Sequence, residues 1–161
     1  MKITNIGGTV QADLPVARTL KFGERLKSGE LKGDDAIAAV VAFSEAVEWE
    51  LEAGGISLEA YALLSGRTAV EAGTTPTWTY TLTGRSQASF PYVKIYGKAL
   101  GAGIDDLHCR LLKCKVTGNV EGSLADGEFW VTKCKGIAID DGSVGIFQFV
   151  QNETATTLPA A

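Results

Sequence analysis

The sequence predicts a mainly β fold, an antiparallel β-sandwich or rolled barrel flanked by one short α-helix at about residues 57–65. Three observations point that way. Segments with period-two alternation recur at turn spacings of roughly 8–12 residues, the rhythm of sandwich and barrel strands. Nineteen Gly in 161 residues supply the turns between them. Only SLEAYALLS carries helix start and stop signals together.

The elements follow in order. Residues 1–15, MKITNIGGTVQADLP, read as a strand fragment or an extended arm. VARTLKF, from Val16 to Phe22, reads as a strand, and ERLKSGELKGDD as a polar, Gly-punctuated turn region with at most a short central strand. AIAAVVAFSEAVEWELE, Ala36 to Glu52, divides into two strands with Ser44-Glu45 as a tight connection. Gly54-Gly55 ends that unit. In SLEAYALLS, Ser57 suits an N-cap, Glu59 lies where the helix dipole favours an acid, and Gly66 suits the C′ position. Nine residues are too few for a stable isolated helix, so this one must dock on a sheet.

RTAVEAGTTP reads as a loop. TWTYTLTG alternates Trp78, Tyr80 and Leu82 against threonines, and FPYVKIYGKAL alternates Tyr92, Lys94, Tyr96 and Lys98 against Val93, Ile95 and Gly97. GAGIDD is a turn. LHCRLLKCKVTG and GEFWVTKCKGIAI read as long strands joined by NVEGSLAD, IFQFVQ as the last strand, and TATTLPAA as a polar tail with nothing to pack by itself. No internal repeat or linker divides the chain, which predicts one domain over 1–161, with an N-terminal arm at about 1–15 and a C-terminal tail at about 154–161.

The Ala36–Glu52 segment carries the most information. Ala36 to Phe43 is apolar at every position, so as a strand it has no wet face. Small antiparallel domains usually leave one sheet face in water, so something beyond this chain is expected to cover it. Ala36, Ala38, Val40, Val41 and Phe43 are the candidate subunit-contact residues, the alanines allowing close approach. The second half sets Val47, Trp49 and Leu51 against Glu48, Glu50 and Glu52. The plain reading of that row is a solvated strand face. In a closed ring it would line a channel with negative potential and leave a DNA duplex few sticking points.

Composition bounds the chemistry. A net charge of −4 gives no basic face for gripping DNA. MKITNIGG lacks the apolar run of a secretory leader and no stretch of ~18 apolar residues exists, so synthesis in a cytoplasm and no membrane partner are expected. Cys109, Cys114 and Cys134 lack zinc spacing and are expected as free thiols. His108 and Cys109, adjacent on one strand, face opposite sides and cannot form a dyad. GKALGAGIDD follows a strand without opening a helix and reads as a hairpin turn, and the Asp105-Asp106 and Asp140-Asp141 pairs read as turn chemistry. No catalytic motif, metal set or cofactor fingerprint is found, so no enzyme, metal or cofactor is expected. Six acids against Arg67 lie between Glu45 and Glu71, and six bases against Asp105 and Asp106 between Arg85 and Lys115. That suggests faces of opposite sign, either merely solvated or meeting head to tail in an assembly.

Taken together, VEWELEAGGISLEAYALLSGRT, TPTWTYTLTG, DLHCRLLKCKVTG, LADGEFWVTKCKGIAIDD and IFQFVQNET resemble major tail tube proteins of long non-contractile-tailed, siphovirus-like bacteriophages. The likeness is one of arrangement, covering roughly Val16 to Glu153. It implies homohexameric rings stacked into a tube around a tape-measure protein, closed by tail terminator and tail-tip proteins, through which double-stranded DNA passes during ejection. It implies a virion tail as the final location. It places Glu48, Glu50 and Glu52 at an acidic lumen, and it makes 1–15, ERLKSGELKGDD and 154–161 candidate arms reaching neighbouring rings. The alternative is a monomeric or low-order β-sandwich binding or decoration module of a virion.

Overall fold

The computed structural model describes residues 1–14, 16–32, 37–55, 57–86, 89–101, 103, 105–123 and 131–158, apart from the Ala38 side chain. The fold is mainly β, antiparallel throughout, and not closed into a barrel. The strands are β1 (Lys2–Asn5), β2 (Gln11–Asp13), β3 (Val16–Lys32), β4 (Ile37–Gly54), β5 (Ala69–Ala72), β6 (Thr79–Leu82), β7 (Tyr92–Leu100), β8 (Asp106–Val116), β9 (Glu121–Ser123), β10 (Val131–Ala138) and β11 (Phe147–Asn152). The helix α1 spans Leu58–Ser65.

The main sheet runs β2-β1-β7-β8-β10-β4-β3, and β5 with β6 makes a separate pair. Besides β7, β8 has two partners: Asp106 to Leu111 pair with β11, and Cys114 to Val116 pair with β10. The sheet therefore splits along β8. Its β3 edge curls back toward β7 and β11, bringing Phe22 within 5.5 Å of Phe149, ring centre to ring centre. Leu20 likewise reaches Gly97, where a Cβ would lie 3.4 Å from Leu20 Cδ2.

The core lies on the concave side. Trp49 and Leu51 of β4, Ile95 of β7, Leu111 and Cys114 of β8, and Ile3 of β1 are all buried there. The alternation on β7 places Val93, Ile95 and Gly97 inward, as the sequence predicts. Gly136 on β10 pairs with Trp49, and a Cβ there would overlap the Lys115 carbonyl oxygen and stand 2.6 Å from Trp49 Cζ2. The indole lies across β10 because that position has no side chain.

Helix α1 closes the core with Ala60 and Leu64. Its ends are built as the sequence implies: Ser57 Oγ accepts from the Ala60 N–H at 3.3 Å, and Gly66 takes a left-handed φ of 65°. A Cβ at Gly66 would overlap the Ser89 carbonyl oxygen, so close packing adds to the need for glycine there.

Several sequence expectations change, among them NVEGSLAD, which is not wholly a connection because it contains β9. Of the two readings of the N-terminal segment, strand and extended arm, residues 1–14 follow the strand: β1 and β2 form a hairpin in the sheet, with Ile3 fully buried. RTAVEAGTTP is not wholly loop, since it contains β5. ERLKSGELK is not a turn region, because β3 continues through Lys32. Ser44-Glu45 is not a connection between strands: β4 runs on through it, and the pairing jumps from Arg25↔Ala46 to Leu26↔Ser44, leaving Glu45 as the extra residue of a β-bulge.

Candidate functional site

The β3–β4 hairpin divides at that bulge. Below it, β4 alternates buried Val47, Trp49, Leu51 and Ala53 with outward glutamates. Above it, from Glu24 to Lys32 and from Ile37 to Glu45, every side chain that is described is exposed. Seven ladder steps separate Arg25 from Lys32, so the hairpin projects roughly 20–25 Å at ~3.3 Å per residue. Arg25 and Glu45 face each other across its base at 3.8 Å.

The projecting part exposes large apolar side chains among the charged residues of its β3 arm. Val40 is 61% exposed, Val41 63%, Phe43 53% and Leu31 66%. The register Lys27↔Phe43, Gly29↔Val41 and Leu31↔Ala39 puts Phe43, Val41 and Leu31 on one side. Leu26↔Ser44, Ser28↔Ala42 and Glu30↔Val40 form the other. Ala36 lies outside the described residues, and nothing is said of the Ala38 side chain. A lone two-stranded hairpin is at best marginally stable in water, and β3 additionally ends the sheet as a 17-residue edge strand.

Glu48, Glu50 and Glu52 share one face of β4, turned from the core. The ladder sets basic residues beside them. Glu50 lies between Lys21 of β3 and Lys135 of β10, and Glu52 opposite Lys133. Glu52 makes ion pairs with Lys133 Nζ at 3.3 Å and Arg18 Nη1 at 3.4 Å. The row is thus compensated at Glu50 and Glu52, whereas Glu48 stands between Gly23 and Ile137. On this part of the sheet the acids of β4 stand beside bases of β3 and β10, which lie outside the basic run of residues 85–115. A shallow trough of about 630 Å³ runs over this region, bordered by Lys21, Glu48, Glu50 and Lys135.

A third cluster escaped sequence reading. Asp106 and His108 are buried on the β8 face turned away from Leu111 and the core. Asp106 Oδ2 receives Lys98 Nζ at 2.8 Å and the Thr156 N–H at 2.8 Å, with His108 Nε2 at 3.1 Å. Asn152 Nδ2 donates to Asp106 Oδ1 at 2.6 Å. The Lys98 ammonium, against the cost of burial and helped by the Asn152, Thr156 and His108 bonds, holds the Asp106 carboxyl well below the usual carboxylate range. Its partners lie 8 residues before and 46 and 50 residues after it, so no local pattern announces them.

The remaining candidates are structural. Asp141 Oδ1 accepts from the backbone N–H groups of Ser143, Val144 and Gly145, which lower its pKa and fix the turn. Cys109, Cys114 and Cys134 are free; burial pushes Cys109 up to about 11 and Cys134 up to about 12, and raises Cys114 further, so none is a reactive thiolate. Among the described residues no group of three His, Cys, Asp or Glu side chains converges as metal ligands would, and no helix is long and apolar enough to cross a membrane. Comparison with protein-family models gives no match, and comparison with curated proteins gives none.

Proposed function

We propose that this chain is the repeating subunit of a bacteriophage tail tube, assembling through its projecting hairpin with further copies of itself. The observation that carries the reading is the hairpin above the Glu45 bulge, whose exposed Leu26, Leu31, Val40, Val41 and Phe43 are not buried by any described part of the chain. A surface of this kind aggregates unless it is paired, and a head-to-tail contact that closes into rings pairs every copy. The resemblance in sequence supplies the tail, the hexameric ring, the tape-measure protein and the passage of DNA. Electron microscopy of negatively stained purified protein is expected to show rings or hollow tubes. A protein that stays monomeric across concentration and salt would instead favour the decoration-module reading.

Within a tube, the face of Glu48, Glu50 and Glu52 is the proposed inner wall. Its chemistry is finer than simple repulsion. Lys21, Lys133 and Lys135 on the same face would attract phosphates, and each retained contact would add to the grip on a passing duplex. The glutamates cancel that pull. Changing all three to Gln removes this cancellation and leaves Lys21, Lys133 and Lys135 to repel one another only weakly at a wet surface, so stability should change by no more than about 1 kcal/mol. DNA ejection from particles carrying the triple variant is expected to slow and to become more dependent on salt. Ejection with unchanged rate and salt dependence would remove this face from the lumen.

A further inference from the structure

A strand's outer face is buried only where something lies on it. On β8, Leu111 faces the core, so Asp106, His108 and Arg110 face the other way. Yet Asp106 is 1% and His108 2% exposed. The cover includes the segment that follows β11. After β11 the backbone turns back over this face, and Thr156 is bound at three points. Its N–H donates to Asp106 Oδ2, its carbonyl accepts from Lys98 Nζ, and its hydroxyl accepts from Asn152 Nδ2 at 3.2 Å.

The described hydrogen bonds of this segment gather at Thr156, while residues 155–158 border a cleft with Met1, Lys2, Asp13 and Leu14. Residues 153–157 are exposed and Leu158 half-buried. Among the described residues, no backbone–backbone hydrogen bond outside the ladders joins 153–158 to the sheet. The other groups facing the carboxylate, Lys98 from β7, His108 from β8 and Asn152 from the end of β11, belong to the folded body. Asp106 accepts from Thr156 and also holds Lys98 and Asn152, the other two groups bound to Thr156, so losing its charge weakens all three points at once.

We propose that Asp106, Lys98, His108 and Asn152 form a latch that straps residues 153–158 to the domain's outer face, and that opening it frees this segment while the domain stays folded. The segment's default position is therefore against its own subunit, and any role for it elsewhere requires the latch to open first. This stands apart from the tube reading, because it concerns one chain alone.

Two variants open the latch from opposite sides. Asp106→Asn removes the charge, and Thr156→Pro removes the N–H donor while leaving every body residue in place. Brief proteinase K digestion, followed by the intact mass, reads cleavage within 153–158. Hydrogen exchange of the β4 segment Val47–Leu51 reads the core. Cleavage is expected at least tenfold faster in both variants than in the unaltered chain, with β4 protection unchanged. If Asp106→Asn also loosens β4, Thr156→Pro decides alone. Cleavage of Thr156→Pro at the unaltered rate, or an unaltered chain already cut as fast as the variants, overturns the latch.

Discussion

Replacing Leu31, Val41 and Phe43 together by Asp is expected to abolish assembly and leave the domain folded. The three lie on one side of the projecting hairpin, between 53% and 66% exposed, and none belongs to the buried core, so the isolated subunit keeps its core when they change. Exposed substitutions of this kind usually shift stability by less than ~0.5 kcal/mol each. Between copies the balance reverses. Burying each side chain against a neighbour is worth about 1.5–3 kcal/mol, and a desolvated carboxylate adds a further penalty. Three losses exceed about 4 kcal/mol per contact, at least a thousandfold in association. Sedimentation velocity is expected to show only the single-subunit species for the triple variant under conditions where the unaltered chain forms large species. Assembly at the unaltered concentration would show that the hairpin is not the contact.

The sequence made this surface half visible. The apolar run ending at Phe43 was legible because no strand of a small domain stays apolar on both faces without a cover. Its partner, ERLKSGELK, was not, because a strand wet on both faces carries no period-two signal to distinguish it from a loop. The Glu45 bulge added to the difficulty. One extra residue shifts the alternation between Phe43 and Val47, and a shift of phase in a sequence looks like a break between elements. The helix, by contrast, was readable to within a residue, because Ser57 and Gly66 act on the backbone next to them.

Charge was legible in kind but not in arrangement. Sequence order shows Glu50 and Glu52 only beside other acids, whereas antiparallel pairing lays Lys135 and Lys133 of β10 opposite them. Asp106 shows the same limit more sharply. In sequence it is one of two aspartates in a turn, and the lysine, asparagine and threonine that define it arrive only through tertiary pairing.

The largest effect on stability is expected where β4 crosses β10. Trp49 is 2% exposed at the centre of the core, and truncation to Ala removes an indole that the surrounding strands cannot collapse to replace. Such truncations cost about 3–5 kcal/mol. For a domain of this length that lowers the melting temperature by roughly 6–20 °C. Gly136→Ala attacks the same contact from the other side, since the new methyl meets both Trp49 and the Lys115 carbonyl oxygen. The β8 backbone cannot move aside without straining its pairing with β10, so the cost should reach about 3 kcal/mol. The two changes should not add. Removing the indole relieves the side-chain part of the clash and leaves the carbonyl part, so the double variant should be more stable than the sum of the singles by about 1 kcal/mol. Denaturant midpoints of the four proteins in this cycle measure the coupling. Strict additivity would mean that Gly136 is required by the Lys115 carbonyl alone, and that the indole only happens to lie over it.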